Sequence, residues 1–110
     1  MVEPYTHRRR WPRQPVTVEC HIEGVSGRAS IRLSELSWGG GYVDTSADFT
    51  AGSPVRLVMI LDGNEATVSG RVVYTHPGMG FGFAFDLEEI PEPSRQWITA
   101  FLQRHGVAEA

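Results

Sequence analysis

From Val16 onward the chain alternates, with Val16, Val18, Cys20 and Ile22 on one face and Thr17, Glu19 and His21 on the other. This is the period of a strand buried on one side. Gly24 to Gly27 supply turn chemistry, and then Ala29, Ile31 and Leu33 alternate with Arg28, Ser30 and Arg32, so the two segments read as a hairpin. Ser34 to Gly41 breaks the alternation with three consecutive glycines, and a short strand follows around Tyr42 to Asp44. Val55 to Leu61 is the most apolar segment. Asp62, Gly63 and Asn64 mark a turn before Ala66, Val68, Val72 and Tyr74, which makes a second hairpin. Pro77 to Gly80 is a further turn, and Phe81, Phe83 and Phe85 alternate with Gly82, Ala84 and Asp86 in a last strand. Six strands with short connections predict an all-β fold, a six-stranded antiparallel β-barrel.

The period changes near the C-terminus. Pro93 suits a first helical turn, Trp97, Ile98, Phe101 and Leu102 share one helical face, and His105 with Gly106 makes a stop. Trp97 and Phe101 are expected in the core, with the C-terminal α-helix covering an open end or edge of the barrel. At the other terminus Pro4, Pro12 and Pro15 interrupt a stretch without hydrophobic periodicity, which predicts an arm ordered by a partner. The expected layout is one domain: a flexible arm over residues 1–13, the barrel over 14–92 and the helix over 93–110.

Composition narrows the function classes. The 110 residues are 41% hydrophobic and 21% charged, which suits one globular domain. No apolar run reaches even 15 residues, so no helical membrane span is expected. The first 15 residues hold four arginines and three prolines with no apolar stretch after them, unlike a secretory signal. A cytoplasmic setting is the expectation. Cys20 is the single cysteine, which excludes an intrachain disulfide and a thiolate metal cluster. His7, His21, His76 and His105 lack metal-ligand spacing. With no Ser, His and acid arrangement recognisable either, the chain is expected to be neither an enzyme nor a holder of cofactors or metals.

Charge is divided by region. Residues 1–13 carry four Arg and one Glu, whereas residues 14–110 carry six Arg against twelve acids. All basic residues are Arg, whose planar guanidinium binds phosphates and base edges bidentately. The arm ends in Arg9-Arg10-Trp11-Pro12-Arg13 just before the first strand, and Glu35-Leu36-Ser37-Trp38-Gly39-Gly40 stands just after the second. The ends of a hairpin meet, so these runs place guanidiniums beside a carboxylate, a hydroxyl and glycine backbone. Such a pocket suits an anionic ligand bearing a purine.

The two runs resemble the signature of the PilZ domain family of cyclic di-GMP receptors, an RxxxR followed by (D/N)xSxxG. Arg9 and Arg13 match the first half, and Ser37 and Gly40 the second. The likeness extends over nearly the whole chain, including the strand order, Gly70 to Val73, Gly80 to Phe85 and the final helix. Glu35 stands where the family has Asp or Asn. The resemblance implies a non-enzymatic second-messenger receptor in bacterial signal transduction, with cyclic di-GMP entering at the barrel mouth and the arm folding over it. A downstream protein then reads the change. Arg9 and Arg13 would pair with guanine edges or clamp phosphate, as Arg does in base readout. Glu35 would accept from guanine N1 and N2, Ser37 would donate to phosphate, and Gly39 and Gly40 would admit backbone amides. An Arg before the motif, here Arg8, goes with binding of a stacked ligand pair in the family. Two other classes remain: a degenerate PilZ-like adaptor that binds protein without nucleotide, and a small nucleic-acid-binding barrel using Gly80-Phe81-Gly82-Phe83. The net negative charge of the barrel region disfavours the latter.

Overall fold

In the computed structural model, described over residues 14–23 and 31–105, six antiparallel strands close into a barrel in the order β1-β2-β3-β6-β5-β4. The strands are β1 Gln14–Ile22, β2 Arg32–Leu36, β3 Gly40–Asp44, β4 Pro54–Leu61, β5 Asn64–His76 and β6 Gly80–Phe85. A 3-10 turn, Leu87–Glu89, leads to helix α1, Glu92–Arg104. The predicted all-β barrel with one C-terminal helix is the observed architecture.

The β4–β5 hairpin shows how local sequence fixes register. Leu61 pairs with Asn64, leaving a two-residue connection. Both of its members, Asp62 at φ 51° and Gly63 at φ 85°, occupy the left-handed region. That conformation matches the twist of a hairpin and favours Asp-Gly. Register then holds without a break from Leu61↔Asn64 to Pro54↔Arg71. Val55, Leu57, Met59 and Leu61 of β4 and Ala66 and Val68 of β5 accordingly point into the barrel and are buried. Leu33, Leu36, Val43, Phe81 and Phe83 fill the rest of the interior.

The last strand pairs with β5 only from Gly70 onward, so the first half of β5 has an edge that β6 does not reach. Helix α1 covers it. Ser94 Oγ accepts the Thr67 backbone N–H at 3.0 Å, and the Asp86 N–H donates to Ser69 O at 2.8 Å. An edge amide left dry and unpaired is costly, so the serine does for Thr67 what a neighbouring strand does for the others. Ile98, Phe101 and Leu102 of α1 join the core, each worth about 1.5–3 kcal/mol of burial.

Two expectations are corrected. Trp97 is 38% exposed rather than in the core. The buried stripe is Ser94, Ile98, Phe101 and Leu102, centred on the serine that must reach the sheet edge, and this turns Trp97 to the margin. Strand β2 runs from Arg32 to Leu36, so Glu35, expected just after the strand, belongs to it; Ala29 and Ser30 of the expected strand lie outside the described residues. Tyr74 lies beyond a register shift between Val72 and Tyr74 and pairs with Gly82, whose position faces outward, whereas Val72 is buried. Helix α1 begins at Glu92 and ends at Arg104; residues 106–110 of the expected helix lie outside the described residues.

Cys20 is a packing residue, 2% exposed, and burial pushes its thiol up to about 12 from 9.0. Two outcomes follow from these contacts. Ser94→Ala should lower unfolding free energy in urea by about 1–3 kcal/mol through the orphaned Thr67 amide. The Cys20 thiol should resist alkylation at pH 8 until the protein is unfolded. Because the folded thiol ionises later than the unfolded one, its contribution to stability is complete below about pH 9 and is lost as pH rises toward 12.

Candidate functional site

The connection from β2 to β3 is built around Ser37. Its N–H donates to Gly40 O at 2.8 Å, and its buried hydroxyl donates to the same carbonyl at 3.2 Å. The Gly39 N–H in turn donates to Ser37 Oγ at 3.2 Å. Phe85 N–H donates to Gly39 O at 2.9 Å, fastening the turn to the end of β6. Glycine is required at Gly40, because a Cβ there would overlap the Phe83 carbonyl and come within 2.9 Å of Ala84 Cα. The glycine run therefore lets β3 press against β6.

This geometry gives Ser37 and Gly39 structural work. The Ser37 proton is directed at Gly40 O and the Gly39 amide at Ser37 Oγ, so both donors expected to meet phosphate are engaged inside the turn. Trp38, in the middle of the turn, packs against the core and with Phe85, Leu87, Ile90 and Ile98 lines an apolar groove of about 130 Å³ between barrel and helix. Its indole N–H is buried and has no partner among the described residues.

Glu35 lies on the outer wall. A register shift between Leu33 and Glu35 makes Ser34 an extra residue: Leu33 pairs with Val43, but Glu35 pairs with Tyr42. One inserted residue reverses the faces that follow, so Leu33 and Leu36 are both buried and Glu35 stands opposite the outward Tyr42. Ser34 uses its hydroxyl to donate to Asp44 Oδ1 at 3.1 Å. On the other side of β2, Pro15 pairs with Glu35 and Gln14 with Leu36. The chain therefore enters β1 beside the Glu35–Gly40 segment, as the hairpin argument requires. The described candidate residues lie along the rim and outer wall of the barrel, whose interior is filled by the core. Arg8, Arg9 and Arg13 lie outside the described residues.

A model of the PilZ domain matches residues 7–104. The chain belongs to the PilZ domain family. Among solved structures, the Bacillus subtilis inhibitor of motility MotI/DgrA is similar in fold, with a TM-score of 0.67 at 18% identity. The match covers 89% of this PilZ domain and 51% of the MotI/DgrA chain, so this chain spans about half the length of that neighbour. A search of curated proteins finds no match. No helix among the described residues is long and apolar enough to cross a membrane, and no group of three or more metal-ligating side chains occurs among them.

Sequence reasoning passed over the aromatic cluster on the outer wall of this PilZ domain. Tyr42, Tyr74 and His76 bring their ring centroids within 5.3–6.1 Å of one another. The Tyr42 hydroxyl and His76 Nδ1 are 2.8 Å apart. The available signal was Gly80 and Gly82 alternating with phenylalanines, since small residues on an outer face leave room for rings from neighbouring strands.

The turn makes its own prediction. Gly40→Ala should cost about 1–3 kcal/mol or more by forcing β3 from β6, read as a lower urea midpoint, and Ser37→Ala about 1 kcal/mol.

Proposed function

We propose that this PilZ domain is a non-enzymatic, cytoplasmic receptor for cyclic di-GMP that signals through its arginine-rich arm to a downstream protein. The observation carrying the reading is the register of β1 on β2. It sets Gln14, the residue that follows the arm in sequence, opposite Leu36, at the strand end where Glu35 and the Ser37–Gly40 turn stand. Arg9 and Arg13 would meet the nucleotide from the arm, with Arg8 favouring a stacked pair, and Glu35 would meet a guanine edge from the wall. Ser37, Gly39 and Gly40 would hold the turn in shape beneath a phosphate. Guanidinium forks and a carboxylate match guanine O6/N7 and N1/N2 respectively. Ordering the arm costs several kcal/mol, offset by charge-assisted hydrogen bonds. No cofactor is needed for this role.

A second reading, an adaptor that binds protein without nucleotide, is favoured by Glu35. Its carboxylate stands one methylene farther from the backbone than the family's Asp or Asn, and hydrogen bonds weaken steeply as geometry departs from ideal.

Calorimetric titration with cyclic di-GMP separates the two. The receptor reading expects binding that Arg9→Ala or Arg13→Ala weakens by about 5- to 150-fold. Lys is not expected to restore either position. Glu35→Asp should preserve or tighten binding, and Glu35→Ala should weaken it. Absence of binding in both the native chain and Glu35→Asp would leave the adaptor reading standing.

A further inference from the structure

The register of five strands aligns one row of residues across the outer wall. Pro15 pairs with Glu35, Glu35 with Tyr42, Tyr42 with Gly82, and Gly82 with Tyr74. Neighbouring strands lie about 5 Å apart, so Tyr42 is one strand from the carboxylate assigned to a guanine edge. Tyr42 does not stand up from the sheet. A Cβ on Gly80 would come within 2.8 Å of its Cε2 and 2.9 Å of its hydroxyl, which places the ring over the Gly80 backbone. Tyr74 lies over Gly82 in the same manner, its hydroxyl 2.9 Å from where that residue's Cβ would stand. The two rings are 6.1 Å apart and inclined by only 32°. His76, hydrogen-bonded to the Tyr42 hydroxyl, stands behind both. Tyr42 and Tyr74 are each half-buried.

We propose that Tyr42 is a stacking floor for one guanine of the nucleotide, with Tyr74 extending the floor. The inference rests on the receptor reading above and adds to it a residue outside both motif halves. A purine whose Watson–Crick edge faces Glu35 has its flat surface left to satisfy, and an aromatic ring laid along the adjacent strand offers the complementary π-face. Glycine at Gly80 and Gly82 makes this possible, because side chains there would lift both rings off the sheet.

The test is titration of the full chain with cyclic di-GMP in three forms: native, Tyr42→Leu and Tyr42→Phe. A parallel NMR measurement looks for contact between the guanine H8 proton and the Tyr42 ring in the native protein. Stacking expects Tyr42→Leu to weaken binding by about 5- to 100-fold, Tyr42→Phe to stay within about threefold of native, and the H8 contact to be present. Native binding with unchanged affinity in Tyr42→Leu and no H8 contact would overturn the floor while leaving the receptor reading intact. Equal losses in Leu and Phe would assign the effect to the hydroxyl and also overturn it. No binding by the native chain would remove the receptor reading and the floor together. The H8 contact needs no variant, so a poorly folding Tyr42→Leu still leaves a decisive measurement.

Discussion

A single residue inserted into a strand reverses the face of everything beyond it, and the outer wall of this barrel depends on two such insertions. Without the extra Ser34, strict alternation from the buried Leu33 would send Glu35 inward and Leu36 out. A carboxylate inside an apolar barrel would carry a desolvation cost far beyond what neighbouring contacts return. Without the shift between Val72 and Tyr74, Tyr74 would stand opposite Phe81 and its ring would compete with Phe81 for the interior. The shifts bring Glu35 and Tyr74 into the same outward row as Tyr42. They also let Leu36 and Phe81 complete the core.

Closure of the barrel sets a second constraint that meets the first at the same place. Strand β3 must lie flat on β6, and the tightest point is Gly40 and Gly41 against Phe83. A Cβ on Gly41 would strike the Glu35 carbonyl and crowd the Phe83 ring at 3.2 Å. The glycines that allow closure are thus adjacent, across β2, to the residue the bulge turns outward. The turn between them is short because Ser37 closes it with backbone and side-chain hydrogen bonds to one carbonyl. Fold closure and site position are consequences of one short segment, 34–41.

Much of this was legible in the residues. Apolar character placed β4, alternation placed β6, Asp62-Gly63 placed the hairpin between β4 and β5, and the hairpin argument placed Glu35 near the start of β1. What escaped has a common physical cause. Bulges carry no strong sequence mark, so Glu35 read as following the strand to which it belongs, and nothing in the sequence separated the face of Tyr74 from that of Val72. Trp97 was assigned to the buried face by apolar character, but the helix is rotated by a demand that hydropathy cannot express, the need of Ser94 to accept the Thr67 amide. The aromatic row was invisible for a related reason: its members come from different strands and meet only through register.

The double duty of segment 34–41 determines what a loss of binding at the motif can mean. Ser37 spends its proton on Gly40 O, and Gly40 has no room for a side chain. A substitution at either residue alters the β2–β3 turn before it alters any contact to a ligand. Loss of binding there reports the shape of the turn. Glu35 is different, because its side chain leaves the wall and the backbone around it is held by pairing on both edges, to Pro15 and to Tyr42. Shortening it to Asp changes reach without changing register. In this barrel the serine and glycine of the motif act as architecture, and under the receptor reading direct recognition would fall to side chains of the wall and of the arm.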